Sequence, residues 1–100
     1  MEQISTDIIQ KAKDQLENEY GFTLRLNKAE TLVGNQLIFT INGHKIVFDA
    51  LIKKEIRNIH LDKIIEYKNL YEHFILVAQR LYPNIKKLLR KEGVNYLEAN

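Results

Sequence analysis

The sequence has no cysteine and only one serine, Ser5, among its 100 residues. The lack of cysteine excludes a disulfide framework, a cysteine nucleophile and thiolate ligands for zinc. With Ser5 as the single serine, a serine hydrolase is excluded as well. The four glycines are isolated and serve as turns or helix ends, so the chain also lacks a glycine-rich phosphate loop.

Long apolar runs are missing too. No stretch approaches the roughly 20 apolar residues that are needed to span a bilayer. The N-terminus, Met1 to Ser5, lacks the basic start and apolar run of a signal peptide. We therefore expect no membrane partner and a cytoplasmic location.

The chain does contain enough apolar residues for one core. They make up 45% of the sequence, and 100 residues correspond to one domain, which we place at 1–100. Such a core needs no metal or disulfide. The three histidines, His44, His60 and His73, are scattered along the chain, so their spacing predicts no metal site.

Charge is distributed unevenly. Residues 1–48 carry five Lys/Arg and six Asp/Glu, a net charge of −1, whereas residues 49–100 carry ten and seven, a net charge of +3. The excess of positive charge therefore lies in the second half. This balance permits a nucleic-acid partner without requiring one.

The first half predicts one helix followed by three strands. Apolar residues recur at helical spacing before Gly21, which predicts an amphipathic helix from Ser5 or Thr6: Ile4, Ile8, Ile9, Ala12 and Leu16. Alternation over Phe22–Leu26 predicts a half-buried strand. Asn42-Gly43 favours a type I′ hairpin turn, because both of its central residues need positive φ. A two-residue turn pairs Ile41 with His44, Phe39 with Ile46 and Leu37 with Phe48.

The second half predicts alternating strands and helices. A long strand, Lys45–Ile52, leads to a helix capped by Asn58. The run Phe74–Ala78 is entirely apolar, as in a strand that is covered on both faces. Pro83 and Gly93 delimit a second helix, with Ile85, Leu88 and Leu89 as its inner stripe. Val94–Leu97 then forms a strand parallel to Phe74–Ala78. The fold class is therefore α/β, a mixed sheet with helices on both faces and the order αβββαβαβ.

The first six of these elements resemble the common core of the restriction-endonuclease-like (PD-(D/E)xK) fold. The segment that runs from Phe48–Glu55 through Leu88–Asn100 resembles the nuclease-like domain of proteins related to the abortive-infection type IV antitoxins. In that family, a strand with an acidic-x-basic motif precedes a helix and a Leu-Val-Ala strand. A Leu-Leu-x-x-x-Gly-[Val/Ile]-Asn-Tyr turn follows, which here is Leu88 to Tyr96. The resemblance covers about half of the chain, and the family continues beyond Asn100, so a fragment of a longer protein is an alternative.

The resemblance implies a place where a metal-dependent nuclease site should lie. In such nucleases, carboxylates on adjacent strands hold a divalent metal beside a lysine. The candidate catalytic residues here are Asp49, Lys53 and Glu55, which share one face of an ideal strand. The acidic-x-basic motif falls on Lys53-Lys54-Glu55, with its charges reversed. Asp49 and Glu55 lie about 20 Å apart at about 3.3 Å per residue, so they cannot share one metal ion. Gln36, opposite Asp49 in the hairpin, is a poor ligand.

The helix that starts at Pro83 supplies a second candidate site. Four cations form a stripe on it: Lys86, Lys87, Arg90 and Lys91. Such a stripe can contact about four phosphates of nucleic acid. An ordinary solvated face, favourably placed near a helix C-terminus, is the structural alternative.

These observations lead to one function and two alternatives. We expect a catalytically degenerate nuclease-like domain that binds DNA or a partner protein and needs no cofactor. One alternative is a metal-dependent nuclease, for which Mg²⁺ would be the cofactor. The other is a pure protein-interaction or oligomerisation module, whose oligomeric state the sequence does not specify.

Overall fold

The computed structural model describes the backbone of residues 2–99 and the side chains of residues 7–18 and 21–99. Residues 2–99 form three α-helices and five strands, with a short 3₁₀ turn at Asn58–His60 before α2. In chain order they are α1 (Glu2–Tyr20), β1 (Thr23–Lys28), β2 (Asn35–Ile41), β3 (His44–Glu55), α2 (Leu61–Leu70), β4 (Phe74–Arg80), α3 (Pro83–Lys91) and β5 (Asn95–Glu98).

The five strands form one mixed sheet in the order β1-β2-β3-β4-β5. β1, β2 and β3 are antiparallel neighbours. The turn between β2 and β3 has positive φ at both central residues, 51° at Asn42 and 80° at Gly43. The predicted hairpin register is confirmed, since Ile41 pairs with His44, Phe39 with Ile46 and Leu37 with Phe48. The turn and the apolar alternation specify the same pairing.

The second half of the sheet is parallel. β3 pairs with β4, and β4 pairs with β5 from Ile75↔Asn95 to Ala78↔Glu98. The predicted parallel pairing of Phe74–Ala78 with the last strand is therefore confirmed. Each parallel connection contains a helix, α2 before β4 and α3 before β5.

Two hydrophobic cores lie on opposite faces of the sheet. On one face, Ile8, Ile9 and Ala12 of α1 pack with Ile75 and Val77 of β4. On the other face, residues of both later helices pack with the alternate residues of β4: Ile64, Ile85, Leu89, Phe74, Leu76 and Ala78. All five residues from Phe74 to Ala78 are buried. The predicted mixed α/β sheet, with helices on both faces, is confirmed.

Three local expectations need correction. Asn58 does not cap α2: it begins the 3₁₀ turn Asn58–His60, and His60 occupies the N-cap position of α2. α1 begins at Glu2 rather than at Ser5 or Thr6, and no proline or glycine in that stretch interrupts a helix. Leu88 does not belong to the inner stripe of α3, because its side chain is 37% exposed. Ile85 and Leu89 are four residues apart and face the sheet one above the other, which leaves Leu88 at the side of the helix.

We expect Leu76→Ala to lower the free energy of unfolding by about 2–5 kcal/mol, because it leaves a cavity where a fully buried side chain stood. Leu32→Ala is the matched control, since the Leu32 side chain is 70% exposed and its truncation leaves no cavity. Urea denaturation of both variants and the parent measures the two effects. Equal destabilisation by the two substitutions would contradict this packing.

Candidate functional site

The three candidate catalytic residues do not converge. Asp49 lies beside Phe74 at the start of β4, whereas Glu55 lies beside Arg80 at its end. The Asp49 carboxylate accepts a hydrogen bond from Gln36 Nε2 at 3.4 Å. Glu55 accepts one from Arg57 Nε at 3.3 Å, and Lys53 is exposed between the two carboxylates. Each carboxylate is therefore engaged with a different side chain, Asp49 in the middle of β3 and Glu55 at its end.

A magnesium site of the kind that the resemblance implies does not fit these residues. Such a site needs at least two carboxylates directed to one point. Over the described part of the chain, no three His, Asp or Glu residues are grouped so that they could hold a metal ion. We therefore derive no metal-assisted step for this site.

The predicted basic stripe on α3 divides into two parts. Lys86 Nζ lies 2.6 Å from Glu98 Oε1, and both side chains are less than one third exposed. The other oxygen, Oε2, accepts a hydrogen bond from the Leu81 backbone N–H at 2.8 Å. Because these two hydrogen bonds stabilise the charged carboxylate, the pKa of Glu98 is lowered, and burial opposes the shift without reversing it. Lys86 thus joins α3 to β5 and is a poor candidate for contacting phosphate.

The remaining cations of the stripe face solvent. Lys87, Arg90 and Lys91 are exposed, and Arg90 Nη1 donates to the Tyr96 hydroxyl at 2.8 Å. Lys68 of α2 reaches the same end of α3, where its Nζ is 3.8 Å from the position that a Cβ on Gly93 would take. We call these four residues the α3 basic surface. Glu92, also exposed, is the acidic residue adjoining it in sequence.

A second basic cluster, which the sequence reasoning missed, lies at the carboxyl ends of β3 and β4. Here a cavity of about 410 Å³ is lined by Lys11 of α1, Lys54 and Glu55 of β3, and Gln79 and Arg80 of β4. We call this cavity the strand-end pocket. Ligands of open α/β sheets bind outside the carboxyl ends of parallel strands, and that rule could have identified Lys54 and Arg80. Nothing in the sequence could have brought Lys11 to them.

Comparison of the chain with protein-family models, with curated proteins and with solved structures finds no match. None of the helices within residues 2–99 has the length and apolarity needed to cross a membrane.

We expect Glu98→Gln to destabilise the protein at neutral pH, because it removes the charge that Lys86 and the Leu81 N–H stabilise. The folded-state pKa of Glu98 is lowered, so its contribution is present above the ordinary glutamate pKa. That contribution is lost as the pH falls through the lowered value. The difference in unfolding free energy between parent and variant should therefore narrow in acid, as urea denaturation at a series of pH values would measure.

Glu66→Gln is the control for this comparison. Glu66 lies 3.8 Å from Lys63, and both side chains are more than 60% exposed, so its loss should change stability by less than about 1 kcal/mol at any pH. A stability difference for Glu98→Gln that stays constant from neutral to acidic pH would contradict the assigned role of the carboxylate.

Proposed function

We propose that this chain is a nuclease-like domain of the restriction-endonuclease-like type that does not cleave DNA but binds it through the α3 basic surface. The observation that carries the proposal is the contrast between the two candidate sites. The carboxylates of β3 are far apart, and each is bound by a neighbouring side chain. Three cations of α3, in contrast, are exposed, and Lys68 of α2 lies beside the end of that helix.

The lack of cleavage follows from the surroundings of Asp49. Its cross-strand neighbour is Gln36, a neutral amide that donates a hydrogen bond to the carboxylate. A metal ion at Asp49 would lack the second carboxylate ligand that nucleases of the restriction-endonuclease-like fold place on an adjacent strand. The residue two positions after Asp49 is the apolar Leu51, which packs against the core beneath α2 and α3 and cannot replace a catalytic lysine.

The binding mode follows from the nature of the α3 basic surface. Lysine and arginine side chains on an exposed helix contact phosphate oxygens, and such contacts position a protein on DNA without reading its sequence. Each phosphate neutralised releases condensed counterions, so binding weakens as salt rises. The hydrogen bond from Arg90 to Tyr96 limits the freedom of the guanidinium while leaving it at the surface. We therefore propose sequence-independent, salt-dependent binding of duplex DNA.

We expect the purified protein to show no cleavage of duplex or single-stranded DNA with Mg²⁺ or Mn²⁺. The physical reason is that no three His, Asp or Glu side chains among the described residues could hold a metal ion together, and that Asp49 is hydrogen-bonded to the neutral amide of Gln36. An assay of supercoiled and linear substrates, run in parallel on the parent and on Asp49→Ala, measures this. Metal-dependent cleavage by the parent that disappears in Asp49→Ala would establish the nuclease alternative instead.

We expect the triple variant Lys87→Gln, Arg90→Gln, Lys91→Gln to bind duplex DNA with a shallower salt dependence. Each lost phosphate contact reduces the log–log slope by about 0.9, so three lost contacts reduce it by up to about 2.7. The three side chains are exposed, so the variant should keep the fold. Fluorescence anisotropy with a labelled duplex at several salt concentrations gives the slope.

A second triple variant controls for net charge. Arg25, Lys45 and Lys53 are exposed and lie outside α3, so their replacement by glutamine removes the same charge from another part of the surface. The control should keep the slope of the parent. An equal slope for the α3 variant and the parent would exclude this helix as the binding surface.

The parent protein must itself bind DNA at low salt for the proposal to stand. A lack of binding would contradict it and would favour the alternative of a protein-interaction module. Leu32 and Leu70, 70% and 61% exposed, line one shallow cavity with Tyr67 and supply the apolar surface on which that alternative would rest.

A further inference from the structure

The strand-end pocket has a strong excess of positive charge. Lys11, Lys54 and Arg80 contribute three cations, and Glu55 contributes one carboxylate. That carboxylate is already bound by Arg57, which lies outside the lining. Among the residues that the structure describes, Lys11, Lys54 and Arg80 form no ion pair. Arg80 lies close enough to Glu98 to help lower the pKa of that carboxyl, but Glu98 is held by Lys86 and the Leu81 N–H.

The position of the pocket is set by the backbone. Lys54 lies next to the end of β3 and Arg80 ends β4, and these parallel strands are neighbours. Their carboxyl ends therefore open at the same edge of the sheet, beside α1, which contributes Lys11. A smaller neighbouring cavity shares Lys11, Lys54 and Gln79 and is also lined by the acidic residue Asp7.

The donor set matches a phosphate group. The guanidinium of Arg80 can donate two parallel hydrogen bonds to phosphate oxygens, and the two ammonium groups supply compact positive charges. Gln79 adds an amide that can also donate. A volume of about 410 Å³ lies within the range of small-molecule sites and exceeds the needs of a lone inorganic ion.

We propose that the strand-end pocket binds the phosphate group of a phosphorylated ligand, either a free nucleotide or the terminal phosphate of a nucleic-acid strand. Lys54 and Arg80 hold the phosphate, and Lys11 closes the site from the side of α1. No bond is made or broken, since the pocket binds and does not react.

This site is separate from the α3 basic surface. α3 begins three residues after Arg80 and ends near the start of β5, which pairs with Ile75 at the opposite end of β4. The two basic regions thus lie towards opposite ends of the parallel strands. Loss of binding at one region therefore does not imply loss of binding at the other. The triple variant of α3 should accordingly bind the pocket ligand as the parent does.

Titration of ¹⁵N-labelled protein with 5′-AMP and with adenosine, in a buffer free of phosphate, tests the proposal. Amide signals of residues at the ends of β3 and β4 should shift with 5′-AMP and not with adenosine. A matched pair of short single strands, with and without a 5′-phosphate, distinguishes the two sources. Tighter binding of the phosphorylated strand than of 5′-AMP would indicate a strand terminus, and the reverse would indicate a nucleotide.

Neighbouring lysines provide the matched control. Lys53 and Lys54 are consecutive, so they point to opposite faces of β3, and only Lys54 lines the pocket. Lys54→Gln should weaken 5′-AMP binding at least about tenfold, Lys54→Gln with Arg80→Gln further still, and Lys53→Gln not at all. Lys54 and Arg80 are both exposed, so we expect both variants to keep the fold. If the double variant unfolds, the single variant Lys54→Gln still tests the site.

Two results would overturn the proposal. One is that 5′-AMP and the 5′-phosphorylated strand bind no better than their unphosphorylated counterparts. The other is that Lys54→Gln and Lys53→Gln weaken binding equally, since a general loss of surface charge would then account for the effect.

Discussion

The burial of β4 on both faces is the constraint on which the rest of the structure depends. Every residue from Phe74 to Ala78 is at most 5% exposed, so the strand needs a layer of side chains above it and another below it. α1 supplies one layer, and α2 with α3 supplies the other. Removing either layer would expose a row of large apolar side chains to water, at a cost of about 25 cal/mol for each Å².

β3 joins the antiparallel part of the sheet to its parallel part. Its twelve residues pair antiparallel with β2 in the first part and parallel with β4 in the second. Asp49 lies where the two parts overlap, whereas Lys54 and Glu55 lie at the free end. The length of this one strand therefore separates the carboxylates that a metal site would have to combine, and it carries a cation to the edge of the sheet.

Glu98 determines which cations of α3 are available. Its carboxylate binds Lys86 from α3 and the backbone of Leu81 just before that helix, so it fixes the helix against β5. Lys87, Arg90 and Lys91 have no such acidic partner among the described residues and remain at the surface. The same carboxylate forms its hydrogen bonds with Lys86 and Leu81 and none with Arg80, whose side chain lines the strand-end pocket.

The sequence by itself determined those features that depend on neighbouring residues. Asn42-Gly43 and the alternation on either side defined the hairpin register, because turn geometry and side-chain period act over a few residues. Pro83 and Gly93 delimited α3, and the unbroken apolarity of Phe74–Ala78 identified a strand covered on both sides.

Only the tertiary structure decided which charges meet. The pairing of Lys86 with Glu98, and the convergence of Lys11 with Lys54 and Arg80, join residues from separate elements. Periodicity assigns a side chain to a face but not to a partner, and a charge interacts with whatever the fold places within a few ångströms. The order of helices and strands along the chain thus specified the sheet with helices on both faces. The packing of those helices on the sheet specified which charged side chains lie together.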